Sequence, residues 1–241
     1  MTARRGIVYL IGAGPGDPGL LTLRGKACLE QADIVLYDYL ANEALLEYAR
    51  PEAERIEAGK RRGRPPGMSQ DKINHLMVQK AREGKIVARL KGGDPFLFGR
   101  GGEEAEALAD AGVAFELVPG VTSATAVPAY AGIPLTHRAY SSSVALVTGH
   151  EDPAKTTSTV PWDALGRGFD TLVFFMGLTT LPAVIKRLRQ AGRPARTPIA
   201  LIRWGTKSDQ QTVTGTLTDI VERARRARIT PPVLIDRKSV V

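Results

Sequence analysis

From residue 7 onward, short β-rich apolar runs alternate with stretches of helical periodicity. That alternation restricts the chain to an α/β fold. Strands are expected over residues 7–11, 34–37, 86–90, 115–118, 144–147, 172–175 and 199–202. Helices are expected over 21–32, from Ser69 with Ile73, Leu76, Met77 and Ala81 on one face, and over 103–111, 123–130, 181–190 and 217–226. Ser69 is a good N-cap, and Gly112 and Gly192 are natural helix stops. After Pro119-Gly120 the pattern restarts. The expectation is two α/β domains, residues 1–118 and 119–241. A cleft between two such domains is the usual place for a small-molecule site. The polar stretch 151–159 reads as an exposed loop.

The chain has 241 residues, 43% of them hydrophobic and 24% charged, which excludes a disordered chain and allows a real core. No apolar run approaches the ~20 residues of a membrane span. The N-terminus leads straight into a strand-like run without a signal-like apolar stretch. A single cysteine, Cys28, excludes an internal disulfide framework and a cysteine-rich zinc site. The expected location is the cytoplasm. Thirty-three Lys and Arg against 25 Asp and Glu leave a net charge of +8. A basic surplus suits nucleic acid, a membrane surface or a polyanionic small molecule. Aromatics are only 6%, and no basic-aromatic interleaving of the kind that stacks bases is present. The arginine-rich run 223–228 reads as a solvated surface.

Two glycine-rich loops leave strand ends. The first, Gly12-Ala13-Gly14-Pro15-Gly16-Asp17-Pro18-Gly19, satisfies G-x-G-x-x-G through Gly14, Gly16 and Gly19. Asp38 ends the second strand, where a dinucleotide fold places its ribose-binding acid. Pro15 and Pro18 argue against that reading, because proline has no amide hydrogen to give a pyrophosphate. NAD, another nucleotide-like ligand and a purely structural turn all remain open for this loop. The second loop, from Lys91 to Glu104, carries five glycines between Gly92 and Gly102 that let backbone approach a ligand closely. Asp94, fixed by Pro95, is an acceptor for a ligand ammonium or hydroxyl, although Gly-Asp-Pro is also a common turn. A third stretch, Pro119-Gly120-Val121-Thr122-Ser123, offers hydroxyls at a helix start, for a ligand or for capping. His75, His137 and His150 lack ligand-like spacing, so no metal site is expected. A Ser-His-Asp triad has no nucleophile elbow to support it.

Taken in order, segments 8–18, 33–38, 59–61, 89–96, 98–104, 118–124, 130–138, 147–150 and 175–177 resemble the tetrapyrrole methylase family, closest to its uroporphyrinogen-III C-methyltransferase branch. The resemblance covers essentially the whole chain. It implies two α/β domains holding S-adenosylmethionine in the cleft between them. It implies methylation of uroporphyrinogen III at C-2 and C-7 to give precorrin-2, on the way to sirohaem or cobalamin, by a homodimer. By position, cofactor contacts fall on Pro15, Gly92, Gly93, Asp94, Leu97, Thr122, Ser123, Met176 and Gly205. The proton acceptor falls on Asp38 and the proton donor on Lys60.

A sulfonium methyl is already activated, so the expected chemistry requires alignment and a proton acceptor but no protein nucleophile. The implied substrate carries eight carboxylates, which gives the positive surplus a purpose. Arg100, flanked by glycines beside the cofactor loop, is the best carboxylate ligand. Glu103 would orient Arg100 or meet a pyrrole N–H. The rivals are a sister methyltransferase acting on a later corrin intermediate, an NAD-binding oxidoreductase and a nucleic-acid-binding protein. The segments 131–138 and 100–104 favour the first committed step.

Overall fold

The computed structural model describes residues 6–59, 67–151 and 157–237. The chain forms two compact units, Met1–Thr122 and Ser123–Val241.

In the first unit, β1 (Ile7–Gly12), β2 (Ile34–Tyr37), β3 (Glu54–Glu57), β4 (Ile86–Lys91) and β5 (Ala114–Val118) form a five-stranded sheet in the order β3-β2-β4-β1-β5. Every pairing is parallel. The crossovers carry α1 (Leu23–Glu30), α2 (Gln70–Arg82) and α3 (Gly101–Asp110). Alternation along the strands sorts the side chains into two cores. Tyr9 and Ile11 of β1, with Ala88 and Leu90 of β4, pack with Cys28 and Leu29 of α1. Val8, Leu10 and Val87 face the other way, onto Ile73 and Met77 of α2 and Leu108 of α3.

In the second unit, β6 (Val144–Thr148), β7 (Thr171–Phe175), β8 (Pro198–Arg203), β9 (Gln211–Thr216) and β10 (Val233–Arg237) form a mixed sheet in the order β6-β7-β10-β8-β9. Only β6 and β7 pair in parallel; β10 runs antiparallel to both β7 and β8. The helices are α4 (Ser123–Tyr130), α5 (Trp162–Arg167), α6 (Leu181–Gln190) and α7 (Ile220–Arg226). Val184 and Leu188 of α6 and Ile220 of α7 pack on Phe174, Leu201 and Ile235. The opposite face meets Ala124 and Val127 of α4.

Two helices begin later than the sequence periodicity predicts. The Asp17 carboxylate accepts from Gly19 N at 2.7 Å and starts a separate 3₁₀ turn, Pro18–Leu20; α1 then has its own cap, Thr22, whose Oγ1 accepts from Gly25 N. Asp219 accepts from Thr216 N at 2.7 Å, which folds residues 216–219 as a turn before α7. Three strands escape the sequence reading. β3 is too charged, β9 is polar at alternate positions, and β10 sits close to a basic C-terminal tail. No helix among the described residues is long and apolar enough to cross a membrane.

Candidate active site

Pro15, Asp38, Gly92, Gly93, Asp94 and Leu97 follow the C-terminal ends of β1, β2 and β4, and Thr122 follows that of β5. β1 and β4 are neighbours, and the helices that follow them, α1 and α3, lie on opposite faces of the sheet. Adjacent strands with oppositely directed crossovers make a topological switch point, the place where open α/β sheets bind ligands.

At this point the glycine loops are stitched to each other. Ala13 N donates to Lys91 O at 2.7 Å, Gly14 N to Gly93 O at 3.2 Å, and Gly93 N to Gly14 O at 2.8 Å. Gly14 and Gly93 both have positive φ, 74° and 69°, where a side chain is strained. A Cβ on Gly120 would lie 2.3 Å from Gly93 O and 2.6 Å from Gly12 Cα. The glycines of the first loop therefore let three backbone segments meet. Pro15 follows directly and is half-buried.

Asp94 holds the same junction. Its Oδ1 accepts from Phe96 N at 2.9 Å and its Oδ2 from Gly120 N at 3.0 Å. The carboxylate expected to meet a ligand thus also ties the second loop to the third. Gly92 and Leu97 lie on the same loop, half-buried. Phe98 and Arg100 take left-handed backbone, φ 52° and 60°. For non-glycine residues this costs free energy, and such positions cluster at functional sites.

Arg100 is the N-cap residue of α3, and its guanidinium grips Glu103 through two bonds of 2.9 and 2.5 Å. Both side chains are more than half exposed. The Glu103 hydrogen bond, reinforced by its charge, raises the Arg100 pKa further against a small burial penalty.

Asp38 ends β2, with its side chain 28% exposed. Its Oδ1 accepts from Arg89 Nη2 at 2.6 Å. Lys60, the expected proton donor, lies outside the described residues. Thr122 closes the first unit and Ser123 opens α4.

In the second unit, Met176 directly follows β7, half-exposed and left-handed at φ 54°. Its turn is braced by Gly149 N donating to Phe175 O at 2.7 Å, and by Thr180 Oγ1 donating to Gly149 O at 2.7 Å. Gly205 follows β8 between two more left-handed residues, Trp204 at φ 47° and Thr206 at φ 69°. A Cβ on Gly205 would stand 2.4 Å from Val127 Cγ1 of α4. The Trp204 ring lies against the cations Lys207 and Arg203.

The sequence reading did not single out Arg89, Lys91 or Glu104, which are all buried. The signal was available: β4 is a central parallel strand, and two charges at alternate positions of such a strand are an anomaly. Arg89 and Lys91 point to the α2 and α3 face, the same side as Val87. Glu104 Oε1 accepts from Arg89 Nε at 3.0 Å and Lys91 Nζ at 2.9 Å. Burial pushes the Lys91 pKa down, and neighbouring Arg89 adds to that. Burial also opposes the charge on Arg89, but Asp38 and then Glu104 outweigh it and raise its pKa.

A parallel sheet with stitched glycine loops at its switch point, a strand-end carboxylate and an arginine at a helix start defines a small-molecule-binding α/β protein. The model of the tetrapyrrole (corrin/porphyrin) methylases matches residues 7–221, and the chain belongs to that family. It is 53% identical over 230 residues to the uroporphyrinogen-III C-methyltransferase of Priestia megaterium, covering 95% of this chain and 96% of that one. The crystal structure of uroporphyrin-III C-methyltransferase from Thermus thermophilus, in complex with S-adenosylhomocysteine, superposes with a TM-score of 0.82 at 37% identity, covering 97% of each chain. A cobalt precorrin-4 methyltransferase superposes with a TM-score of 0.85 at 32% identity, covering 96% of this chain and 94% of that one.

Proposed function

We propose that the chain transfers methyl groups from S-adenosylmethionine to C-2 and C-7 of uroporphyrinogen III, giving precorrin-2. The observation that carries this reading is the 53% identity to a uroporphyrinogen-III C-methyltransferase, which runs over nearly all of both chains. The precorrin-4 enzyme shares the fold at lower sequence identity, so the fold alone does not choose between substrates.

The residues present fit a sulfonium cofactor. The turn at Gly92 and Gly93 presents backbone without side chains at the switch point, and Asp94 supplies negative charge beside it. By the family resemblance, Pro15, Leu97, Thr122, Ser123, Met176 and Gly205 are the further cofactor contacts. S-adenosylmethionine supplies an electrophilic methyl when bound. The glycine loops orient it, and orientation is the larger part of such a reaction's acceleration. Arg100, supported by Glu103, pairs with a substrate carboxylate. Asp38 accepts the proton that the macrocycle loses after its carbon has been methylated; Lys60 holds the position that the resemblance gives to a proton donor. We also read the protein as a homodimer, which rests on the family resemblance, working in the cytoplasm, which rests on the composition and the single cysteine.

The dinucleotide alternative loses its main support. The first loop leads into a proline-started 3₁₀ turn instead of a helix with free amides.

The direct test is incubation with S-adenosylmethionine and enzymatically made uroporphyrinogen III, with mass spectrometry of the oxidised products. The expected product carries two added methyl groups. Unchanged uroporphyrin, with methylation of a later corrin instead, would overturn the assignment.

A further inference from the structure

Four charged side chains of the first unit form one alternating series. Lys91 Nζ donates to Glu104 Oε1 at 2.9 Å, Arg89 Nε donates to the same oxygen at 3.0 Å, and Arg89 Nη2 donates to Asp38 Oδ1 at 2.6 Å. Gln70 Nε2 of α2 donates to Glu104 Oε1 at 3.2 Å. The Lys91, Arg89 and Glu104 side chains are 3%, 2% and 0% exposed, and Asp38, at 28%, is the exposed end of the series. Glu104 Oε2 has no hydrogen-bond partner among the described residues.

Stability does not account for this arrangement. Taking such charges out of water costs more than most ion pairs return, and apolar side chains of similar volume often serve as well. The surrounding core of Leu10, Leu36, Val87 and Leu108 could have continued through these positions. What the series does provide is a fixed guanidinium plane. One edge of Arg89 is held by Glu104, Nη1 reaches Leu36 O at 3.4 Å, and the remaining arm meets Asp38. A planar fork can bind two carboxylates in set directions at once; an ammonium cannot.

We propose that Arg89, locked by Glu104 and with its partner charge balanced by Lys91, is the positioning residue for Asp38. It holds the carboxylate in one orientation, ready to receive the substrate proton. The inference rests on the reading of Asp38 as proton acceptor. Among the described residues, the series that ends at Asp38 holds Arg89 and Lys91 from β4 and Glu104 from α3, with neutral Gln70 from α2.

The test compares Arg89→Lys, Glu104→Gln, Asp38→Asn and the double variant Arg89→Lys/Asp38→Asn. Turnover at saturation and the Michaelis constants are measured by steady-state kinetics, and S-adenosylhomocysteine affinity by calorimetry. Arg89→Lys should lower turnover about 10- to 100-fold, the factor that a lost charge-assisted hydrogen bond corresponds to. Cofactor affinity and the Michaelis constants should hold. In the Asp38→Asn background the same change should add no further loss. Full turnover, or the same fold-loss in both backgrounds, would overturn the proposal. If Arg89→Lys does not fold, Glu104→Gln decides. It keeps the shape but removes the charge that locks the guanidinium, so it should lower turnover with the Michaelis constants held; wild-type kinetics would overturn the proposal. The underlying reading fails separately, on Asp38→Asn alone retaining wild-type turnover.

Discussion

Gly14 and Gly93 exchange two backbone hydrogen bonds, so the loops after β1 and β4 form a single stitched surface at the switch point of the first sheet. Gly120 packs against this stitch, with its missing Cβ position 2.3 Å from Gly93 O.

The glycine at 120 is therefore a test of the stitch. In Gly120→Ala the new methyl meets backbone, which has no rotamer to move aside, so the two loops must part. Overpacking of this kind costs about 1–3 kcal/mol. The expected outcome is a lower melting temperature together with weaker S-adenosylhomocysteine binding. Calorimetry and thermal denaturation on one preparation check both. Unchanged binding would separate the stitch from the cofactor site.

Arg100 separates function from stability in a different way. Its ion pair with Glu103 is exposed, and exposed pairs contribute only about 0–1 kcal/mol. Its left-handed backbone is unfavourable for any residue with a side chain by about 1–2 kcal/mol. Arg100→Gly should therefore be at least as stable as Arg100→Ala. Both should raise the Michaelis constant for the tetrapyrrole roughly ten- to hundred-fold, from the loss of a charge-assisted hydrogen bond, and leave that for S-adenosylmethionine nearly unchanged. Steady-state kinetics with each substrate varied in turn, beside melting curves, check this. Equal losses for both substrates would make Arg100 a loop support.

The physics of burial explains what the sequence made legible. Runs such as Ile34–Tyr37 and Ile86–Lys91 lie in a parallel sheet covered on both faces, so they stand out as strands. Ser69 and Gly112 mark helix ends by local chemistry that needs no tertiary context: Ser69 Oγ caps Lys72 N, and Gly112 has a φ of 65°. The loops at residues 12–19 and 91–104 were visible as glycine clusters. Their purpose was not, because the contact of Gly12, Gly93 and Gly120 joins residues distant in sequence. The same holds for Arg89, which takes its meaning from Asp38 on one strand and Glu104 on a helix. β10 lies between β7 and β8 in the middle of its sheet, a placement that only long-range pairing reveals.

Asp170 gives the second unit a pH signature. Its Oδ2 accepts from Ser142 N at 2.8 Å, Ser143 N at 3.1 Å and Ser143 Oγ at 3.0 Å, which ties the approach to β6 to the start of β7. The Ser142 amide foremost, then the Ser143 hydroxyl, hold its pKa below the usual aspartate value of 3.8. A carboxylate whose pKa is lower in the folded than in the unfolded chain stabilises the fold above the unfolded value. That contribution fades as pH falls towards the folded value. Asp170→Asn should therefore melt below the wild type at neutral pH, with the gap narrowing once pH drops below the ordinary aspartate range. Paired melting curves from about pH 7 to pH 3 check the sign, and a gap independent of pH would assign the loss to packing.

Asp94 has two possible ways of affecting the cofactor, and a pair of substitutions distinguishes them. Its carboxylate accepts from Phe96 N and Gly120 N, one bond for each oxygen. Each oxygen keeps a further lone pair, so it is also able to face a ligand. Asp94→Ala removes both backbone bonds, and hydrogen bonds to a charged acceptor are worth about 1.5–3 kcal/mol each. If Asp94 acts by tying the loops, the loss of S-adenosylhomocysteine affinity should come with a clear fall in melting temperature. Asp94→Asn keeps one acceptor oxygen but turns an N–H towards one of the two backbone donors. It should lose part of the stability and a matching part of the affinity. If Asp94 instead meets the cofactor directly, Asp94→Asn should lose affinity out of proportion to its stability. Measuring both quantities on both variants gives a ratio, and a constant ratio across the two assigns Asp94 to the loop junction.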